Sequence, residues 1–152
     1  MNKPALFLRI ASALTFIHAV LHTAGGVFAE AGPGPAAVAV EAMKVNHFLL
    51  MGNMRSYWDF YRGLGLGVTI FLTAESILMQ QMAALAKTHA RRLRPMMVTF
   101  LVAYAVFSVN SYEYFFAGPV ITELLIVACL GMAIATAGRE AAEIGTAARL
   151  PQ

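Results

Sequence analysis

Long apolar segments are the feature that most constrains how this chain folds. Four of them run over residues 6–28, 63–85, 95–116 and 120–137. A helix needs about 20 apolar residues to cross a bilayer; three segments are near that length, and the fourth extends into its flanks. Because 59% of the residues are hydrophobic and only 12% are charged, a water-soluble fold would leave apolar surface uncovered. The sequence predicts an all-α, four-transmembrane-helix bundle, with residues 1–152 forming a single integral membrane domain.

The charged residues between the apolar segments predict the orientation of the chain. Residues 87–94 carry four basic side chains and no acidic one, so the positive-inside rule places this loop in the cytoplasm. Lys3 and Arg9 then lie on the same side, as an even number of spans requires. We therefore expect a multi-pass protein of the cell (inner) membrane with both termini cytoplasmic. Because the net charge of +3 arises from these local clusters, we expect no nucleic-acid partner.

The connection between the first two apolar segments is long enough to carry structure of its own. Residues 32–35, Gly-Pro-Gly-Pro, break any helix and mark a turn. Apolar residues then recur on a broad stripe over residues 38–51, which is typical of an amphipathic helix. We expect this extracytoplasmic interfacial helix, between spans 1 and 2, to be part of an outer cap over about residues 38–62.

The block Arg55-Ser-Tyr-Trp-Asp-Phe-Tyr-Arg62 concentrates hydrogen-bonding groups directly before the second span. In a helix, Arg55 and Asp59 would lie on one face, four residues apart. Their aromatic neighbours are Tyr57, Trp58 and Tyr61. One interpretation is an interfacial anchor, since aromatic residues form belts at membrane surfaces. The other is the rim of a site, where an arginine pairs with Glu113, with Glu123 or with an anionic substrate group.

Two histidines in the first span are candidate ligands. His18 and His22 are four residues apart, which places both on one helix face. Such a pair can bind a metal ion or a haem, with His47 as a further candidate ligand. The alternative is that both are neutral and hydrogen-bond to neighbouring helices. The run His18-Ala-Val-Leu-His22 lacks the glutamate that zinc metalloproteases carry after their first histidine, which argues against that chemistry.

Carboxylates inside or at the ends of spans are functional candidates, because burying a charge in a bilayer is costly. Glu75 lies near the middle of the second span, and Glu123 opens the fourth, where a helix dipole also favours a negative charge. Near the outer end of the third span, Asn110, Glu113 and Tyr114 share a helix face. Several of these groups form a one-sided cluster with the histidines and the 55–62 block, and this cluster predicts a pocket that opens outward. Its members are His18, His22, His47, Arg55, Asp59, Asn110, Glu113 and Glu123.

Several functions are compatible with this cluster. In an enzyme acting on an apolar small molecule, Glu75 and Glu113 would be the catalytic acid and base and His22 a proton shuttle. The predicted substrate-binding residues are Arg55, Tyr57, Trp58, Asp59, Tyr61, Asn110 and Tyr114. The alternatives are a haem- or metal-binding redox protein using His18 and His22, a small transport or assembly subunit, and polar groups that only join helices. The pattern names no cofactor; the expected partners are the lipid bilayer, an apolar small molecule and a second copy of the chain.

Two motifs together carry a resemblance. They are His18-x-x-x-His22-Thr23 and the run Met51-Gly-x-Met-Arg-Ser-Tyr-Trp-Asp-Phe-Tyr-x-Gly63. The combination resembles a family of small, uncharacterised bacterial four-helix integral membrane proteins. In size and topology alone the chain is also similar to the DoxX-like group. The resemblance implies a topology and no activity.

Overall fold

The protein is helical, with one short β-hairpin. The computed structural model describes residues 2–147, with side chains described through residue 138. In chain order the elements are α1 (Lys3–His22, continued by a π-helical turn, Thr23–Val27), α2 (Pro35–Val45), β1 (His47–Leu50), β2 (Asn53–Ser56), α3 (Tyr57–Tyr114) and α4 (Ala117–Ala147). The all-α class predicted from the apolar segments is confirmed.

The longest helix, α3, reverses its direction at His89. Its 58 residues would extend about 87 Å if straight, at 1.5 Å per residue. However, His89 has non-helical backbone angles, φ −129° and ψ 29°. The hydroxyl of Tyr104 lies 2.7 Å from Glu75 Oε2, although a straight helix would separate these residues by about 43 Å. The reversal divides α3 into two segments, 57–88 and 90–114, and residues 73–88 run antiparallel to the second segment. It thereby separates the second predicted span from the third.

The chain folds as two compact units. The first, here called the helical unit, comprises Met1–His18 and Thr73–Gln152, and the second, the hairpin unit, comprises Ala19–Leu72. The sequence predicted a single domain over residues 1–152, and that prediction remains open.

Four helical segments pack together in the helical unit. Ser12 of α1 hydrogen-bonds Ser76 of segment 57–88, and Gly131 of α4 lies beside Leu101 of segment 90–114. Each segment contributes fully buried side chains to one core. The largest apolar ones are Leu8, Met79, Met97, Ile126 and Leu130.

The outward faces of the same helices are apolar as well. Large hydrophobic side chains with at least 45% exposure include Phe16, Ile17, Ile77, Leu78, Val102, Val106, Leu124 and Leu125. Soluble proteins seldom expose so much contiguous apolar surface. Three helical stretches, Lys3–Val27, Tyr57–Tyr114 and Ala117–Gly138, are long and apolar enough to cross a membrane. Both observations fit helices surrounded by lipid.

In the hairpin unit the chain changes from helix to strand earlier than the sequence pattern predicted. Apolar periodicity indicated a helix to residue 51, but α2 ends at Val45. Strands β1 and β2 follow, with Leu50 paired to Asn53 across a two-residue turn. Both turn residues have positive φ, 49° at Met51 and 81° at Gly52, as a type I′ hairpin turn requires. This turn matches the twist of the strands. The helix itself ends where Asn46 takes extended backbone angles, φ −83° and ψ 102°.

Candidate functional site

The N-terminus of α3 is closed by a capping box. The backbone N–H and the hydroxyl of Ser56 both donate to Asp59 Oδ2, at 2.8 and 3.1 Å. In return, the Asp59 N–H donates to Ser56 Oγ at 3.2 Å. These reciprocal bonds satisfy backbone donors that the first helical turn would leave without partners. The motif Ser-x-x-Asp in the sequence is the signal for this cap. The interpretation of Asp59 from its position four residues after Arg55 did not include it.

The capping box makes the stability of the hairpin unit sensitive to acid. The two hydrogen bonds from Ser56, from its backbone and then from its side chain, lower the pKa of Asp59 below its ordinary value of 3.8. Because a lowered carboxyl pKa stabilises the folded state only while the group is ionised, this contribution is complete above about pH 4 and is lost as the pH falls through the folded pKa.

We therefore expect thermal stability in detergent to fall below about pH 4 in the wild type. An Asp59→Asn variant should be less stable than the wild type at neutral pH and should lose this part of the pH dependence. Glu30→Gln provides the control, because that carboxylate takes no part in the cap. Equal acid sensitivity in the wild type and Asp59→Asn would contradict the role assigned to the cap.

Aromatic side chains of the 55–62 block pack onto the hairpin and onto α2. The ring of Phe48 in β1 lies 5.1 Å from Tyr57 and 6.2 Å from Phe60, measured between centroids. Trp58 stacks on Tyr61 at 5.2 Å, and the Lys44 ammonium lies 5.1 Å from the centre of the Trp58 ring. The predicted substrate-binding residues Tyr57, Trp58 and Tyr61 thus join α2, β1 and the start of α3.

The start of α3 also contacts the π-helical turn. The Tyr61 hydroxyl donates to the Gly26 carbonyl oxygen at 2.9 Å, and the Arg62 guanidinium lies 5.2 Å from the centre of the Phe28 ring. His22 Nε2 lies 3.0 Å from the carbonyl oxygen of Gly65, to which it donates. Since a carbonyl oxygen accepts only from a protonated ring nitrogen, His22 Nε2 carries a hydrogen in this arrangement.

An open groove lies between the hairpin and the start of α3. This hairpin groove has a volume of about 390 Å³ and a mainly apolar lining. Its lining residues are Leu50, Met51, Asn53, Arg55, Asp59, Phe60, Gly63 and Leu64. Of the predicted substrate-binding residues, Arg55 and Asp59 belong to the lining. A second cavity of about 360 Å³ in the hairpin unit, with a more polar lining, includes Trp58 and Arg62.

The helical unit holds a layer of buried polar groups around Glu75. The Tyr104 hydroxyl donates to Glu75 Oε2 at 2.7 Å and lies 3.3 Å from Thr15 Oγ1. Tyr104 is 2% exposed and Thr15 is fully buried. Glu75 therefore has a hydrogen-bonding partner inside the unit, which reduces the cost of holding it there.

A second polar layer surrounds Glu123. Ser111 donates to Glu123 Oε1 at 2.8 Å, and His18 Nε2 lies 3.9 Å from the same oxygen. The His18 ring stacks against Phe107 at 6.2 Å between centroids. Glu123 is fully buried and His18 is 6% exposed. The alternative of a helix N-terminal charge stabilised by the dipole stays a prediction, and the buried contacts of Glu123 with Ser111 and His18 are additional to it.

The remaining predicted residues at the end of the third span face outward. Asn110, Glu113 and Tyr114 are all exposed, and their predicted roles in catalysis and substrate binding stay predictions. The structure thus pairs Glu75 with Tyr104 and places Glu113 at the surface. The buried face of segment 90–114 instead carries Tyr104, Ser108 and Ser111, spaced by four and three residues. That spacing was the signal by which the sequence could have indicated the polar layers.

The described residues include no group of three or more His, Cys, Asp or Glu side chains that could hold a metal ion. His18 and His22 have separate partners, a carboxylate and a backbone carbonyl. The metal and haem interpretation of these two histidines stays a prediction, and this geometry does not add to it.

Comparison with known proteins gives no family for this chain. No protein-family model matches it, and no curated protein or solved structure is significantly similar. The resemblance to small bacterial four-helix membrane proteins therefore stays a prediction, and functional inference depends on the two polar layers and the hairpin groove.

Proposed function

We propose that this chain is a multi-pass membrane protein that binds an apolar small molecule with an anionic end in the hairpin groove. The observation that carries the proposal is the groove itself, an apolar recess of about 390 Å³ with Arg55 in its lining. Small-molecule sites are typically mainly apolar recesses of about 300–1,000 Å³ with a few polar groups that orient the ligand.

The apolar part of the ligand would lie against Leu50, Phe60 and Leu64. Leu50, which precedes the second span, is 42% exposed, so a ligand that covers it removes apolar surface from water. Such burial contributes about 25 cal/mol for each Å². The contact is favourable without any rearrangement of the capped start of α3.

The anionic end of the ligand would pair with Arg55. The Asp59 carboxylate already accepts two hydrogen bonds from Ser56. Arg55 donates from Nη1 to the Met54 carbonyl oxygen, and among the described residues it forms no salt bridge. A guanidinium has five donors in a planar fork that suits carboxylate or phosphate. Arg55 can therefore bind an anion while its present hydrogen bond is kept.

We propose four membrane crossings with both termini in the cytoplasm. The reversal of α3 at His89 supports this topology, because it divides one helix of 58 residues into two segments. The basic stretch 87–94 lies at the reversal and would be cytoplasmic. The hairpin, the groove and the interfacial helix α2 would then lie on the outer side.

We propose binding without assigning catalysis. The predicted catalytic residues Glu75, Glu113 and His22 have different surroundings: a tyrosine hydroxyl, the exposed surface and a backbone carbonyl. An enzyme that uses Glu75 and Glu113 as an acid–base pair would need a conformational change that brings both carboxyl groups to one substrate. The hairpin groove needs no such change to accept a ligand.

A matched pair of strand variants tests the groove. Leu50 lines it, whereas the adjacent Leu49 points to the other face of the hairpin, because side chains alternate along a strand. With a fluorescent long-chain fatty acid as the probe, Leu50→Asn should weaken binding to the purified protein about tenfold, since burying a leucine is worth about 1.5–3 kcal/mol. Leu49→Asn should bind like the wild type.

Arg55→Gln tests the anionic end. It should weaken binding of the fatty acid but leave binding of the corresponding uncharged alcohol unchanged.

Equal affinities of Leu50→Asn and Leu49→Asn would rule out the groove as the site. Labelling of a Leu49→Cys variant by a membrane-impermeant maleimide on intact cells checks that this surface lies outside.

A further inference from the structure

Glu123 is a fully buried carboxyl whose hydrogen-bonding capacity is only partly used. Ser111 donates to Oε1, while Oε2 has no hydrogen-bond partner among the described side chains and backbone groups. Its relative exposure is 0%. A carboxylate without full solvation is costly in a low-dielectric interior, so such a group binds a cation or a proton. The second oxygen is the atom at which one would bind.

The charged and titratable groups around Glu123 come from each neighbouring segment. On α1, His18 Nε2 lies 3.9 Å from Oε1. On segment 57–88, Glu75 is hydrogen-bonded to Tyr104 of segment 90–114. Within the described side chains, no lysine or arginine forms a salt bridge with Glu123. His18 is therefore the basic group nearest to this carboxyl.

The ligand that fits this site is a proton. Hard metal cations such as Ca²⁺ require about six to eight oxygen ligands, and Mg²⁺ requires about six. Here one carboxyl and one serine hydroxyl are the oxygen groups in contact. A proton needs a single oxygen, and its addition removes the negative charge from the buried carboxyl.

We propose that Glu123 holds an exchangeable proton inside the helical unit and that His18 transfers it. In the transfer an O–H bond of Glu123 breaks and an N–H bond of the imidazole forms, or the reverse, with no other change of bonds. His18 Nε2 lies 3.9 Å from Oε1, so transfer of a proton held on Oε2 requires the carboxyl group to rotate and the separation to shorten by about 1 Å for a direct hydrogen bond. Stacking on Phe107 holds the imidazole ring beside the carboxyl.

Other polar groups extend the site along α1. Ser12, Thr15 and His18 follow one another at intervals of three residues, about 4.5 Å each along a helix. Ser12 hydrogen-bonds Ser76, and Thr15 adjoins the Tyr104 hydroxyl. Hydroxyl groups can both donate and accept hydrogen bonds. A proton that leaves His18 can therefore move along this row of hydroxyl groups toward Glu75. The proposal is independent of ligand binding in the hairpin groove.

Infrared difference spectroscopy of the purified full-length protein tests the proton on Glu123. As the pH is lowered, the C=O stretch of a protonated carboxylic acid should appear in the wild type and shift in D₂O. The component of this band that Glu123 contributes should be lost in Glu123→Gln and retained in Glu113→Gln, which removes an exposed carboxyl of the same type. An unchanged spectrum in Glu123→Gln would overturn the proposal, as would a band that does not shift in D₂O.

If Glu123→Gln does not remain monodisperse, Glu123→Asp provides the test. This variant keeps a carboxyl in the site, and its band should move to a different frequency. A band at the wild-type frequency in Glu123→Asp would equally exclude Glu123 as the group that titrates.

The role of His18 is tested by the rate of exchange. Replacing it with glutamine should slow hydrogen–deuterium exchange of the carboxylic acid by at least about tenfold, since positioned acid–base groups contribute factors of about 10²–10⁴. His47→Gln, which changes an exposed histidine of the hairpin, should leave the rate unchanged. Equal exchange rates in the His18 and His47 variants would remove His18 from the proposal.

Discussion

Replacing Tyr104 with alanine should destabilise the protein by about 3–5 kcal/mol, the range for removing a large buried aromatic side chain. Tyr104 is 2% exposed and is the largest of the fully buried side chains. Its removal leaves a cavity among the helices of the helical unit, and it also removes the donor to Glu75 Oε2. The measurement is unfolding in a detergent titration, followed by circular dichroism.

A phenylalanine at the same position separates the hydroxyl from the ring. Tyr104→Phe keeps the core filled but leaves Glu75 without this hydrogen bond, and it should cost about 0.6–1.7 kcal/mol, the usual to the largest value for an interhelical hydrogen bond in a folded membrane protein. A Glu75→Gln change made together with Tyr104→Phe should then have a smaller effect than in the wild type, because the two groups interact. Additive effects would show that the bond contributes nothing to stability.

Tyr112 is the matched control for this series. It lies in the same segment but is 75% exposed, and its side chain has no place in the core. Both Tyr112→Phe and Tyr112→Ala should stay within about 0.5 kcal/mol of the wild type, as exposed substitutions usually do. If alanine at position 112 costs as much as alanine at position 104, the assignment of the buried face is wrong.

Gly65→Ala should destabilise the protein by about 1–3 kcal/mol through overpacking. A Cβ atom on Gly65 would lie 2.8 Å from Cγ2 of Val27, closer than two carbon atoms approach without contact strain. Val27 is buried and β-branched, so its side chain has little freedom to move aside. Thermal unfolding in detergent is the measurement.

Gly67→Ala is the control for this prediction. A Cβ there has no neighbour within 4 Å, and alanine is the better helix former by about 1 kcal/mol, so this variant should be as stable as the wild type or more so. A Val27→Ala change should restore stability to Gly65→Ala by removing the clashing methyl. Similar losses in both glycine variants would argue against close packing at Gly65.

The Gly-x-Gly-x-Gly run shows what one sequence can and cannot predict. Small residues in a membrane helix allow close packing, so the run Gly63-x-Gly65-x-Gly67 predicts a tight contact at the start of the second span, and Gly65 has one against Val27. Gly63 and Gly67 have open space around a Cβ. Three glycines that look equivalent in the sequence therefore have different surroundings. The neighbours of each one depend on which element packs against its side of the helix.

The carboxylates show the same limit. The cost of a charge in an apolar span marked Glu75 and Glu123 as candidates, and both are held by hydroxyl groups in the helical unit. Glu113 carried the same chemical signal, and its side chain is exposed. The sequence does not identify Tyr104 and Ser111 as the partners of these carboxylates. Hydroxyl residues are common in membrane spans, and the sequence does not show which of them face a carboxylate.

The sequence by itself determined the helical class, the apolar segments and the basic stretch at the reversal of α3. These depend on composition and periodicity along the chain, since each segment must satisfy its own backbone hydrogen bonds and bury its own apolar residues. The local Ser-x-x-Asp motif also marks the cap at Asp59. Only the tertiary structure decided that Glu123 lies against His18 and that a hairpin replaces the end of the helix predicted over residues 38–51. Those outcomes depend on contacts between residues far apart in sequence, or on backbone angles such as the positive φ of Met51, and periodicity does not encode them.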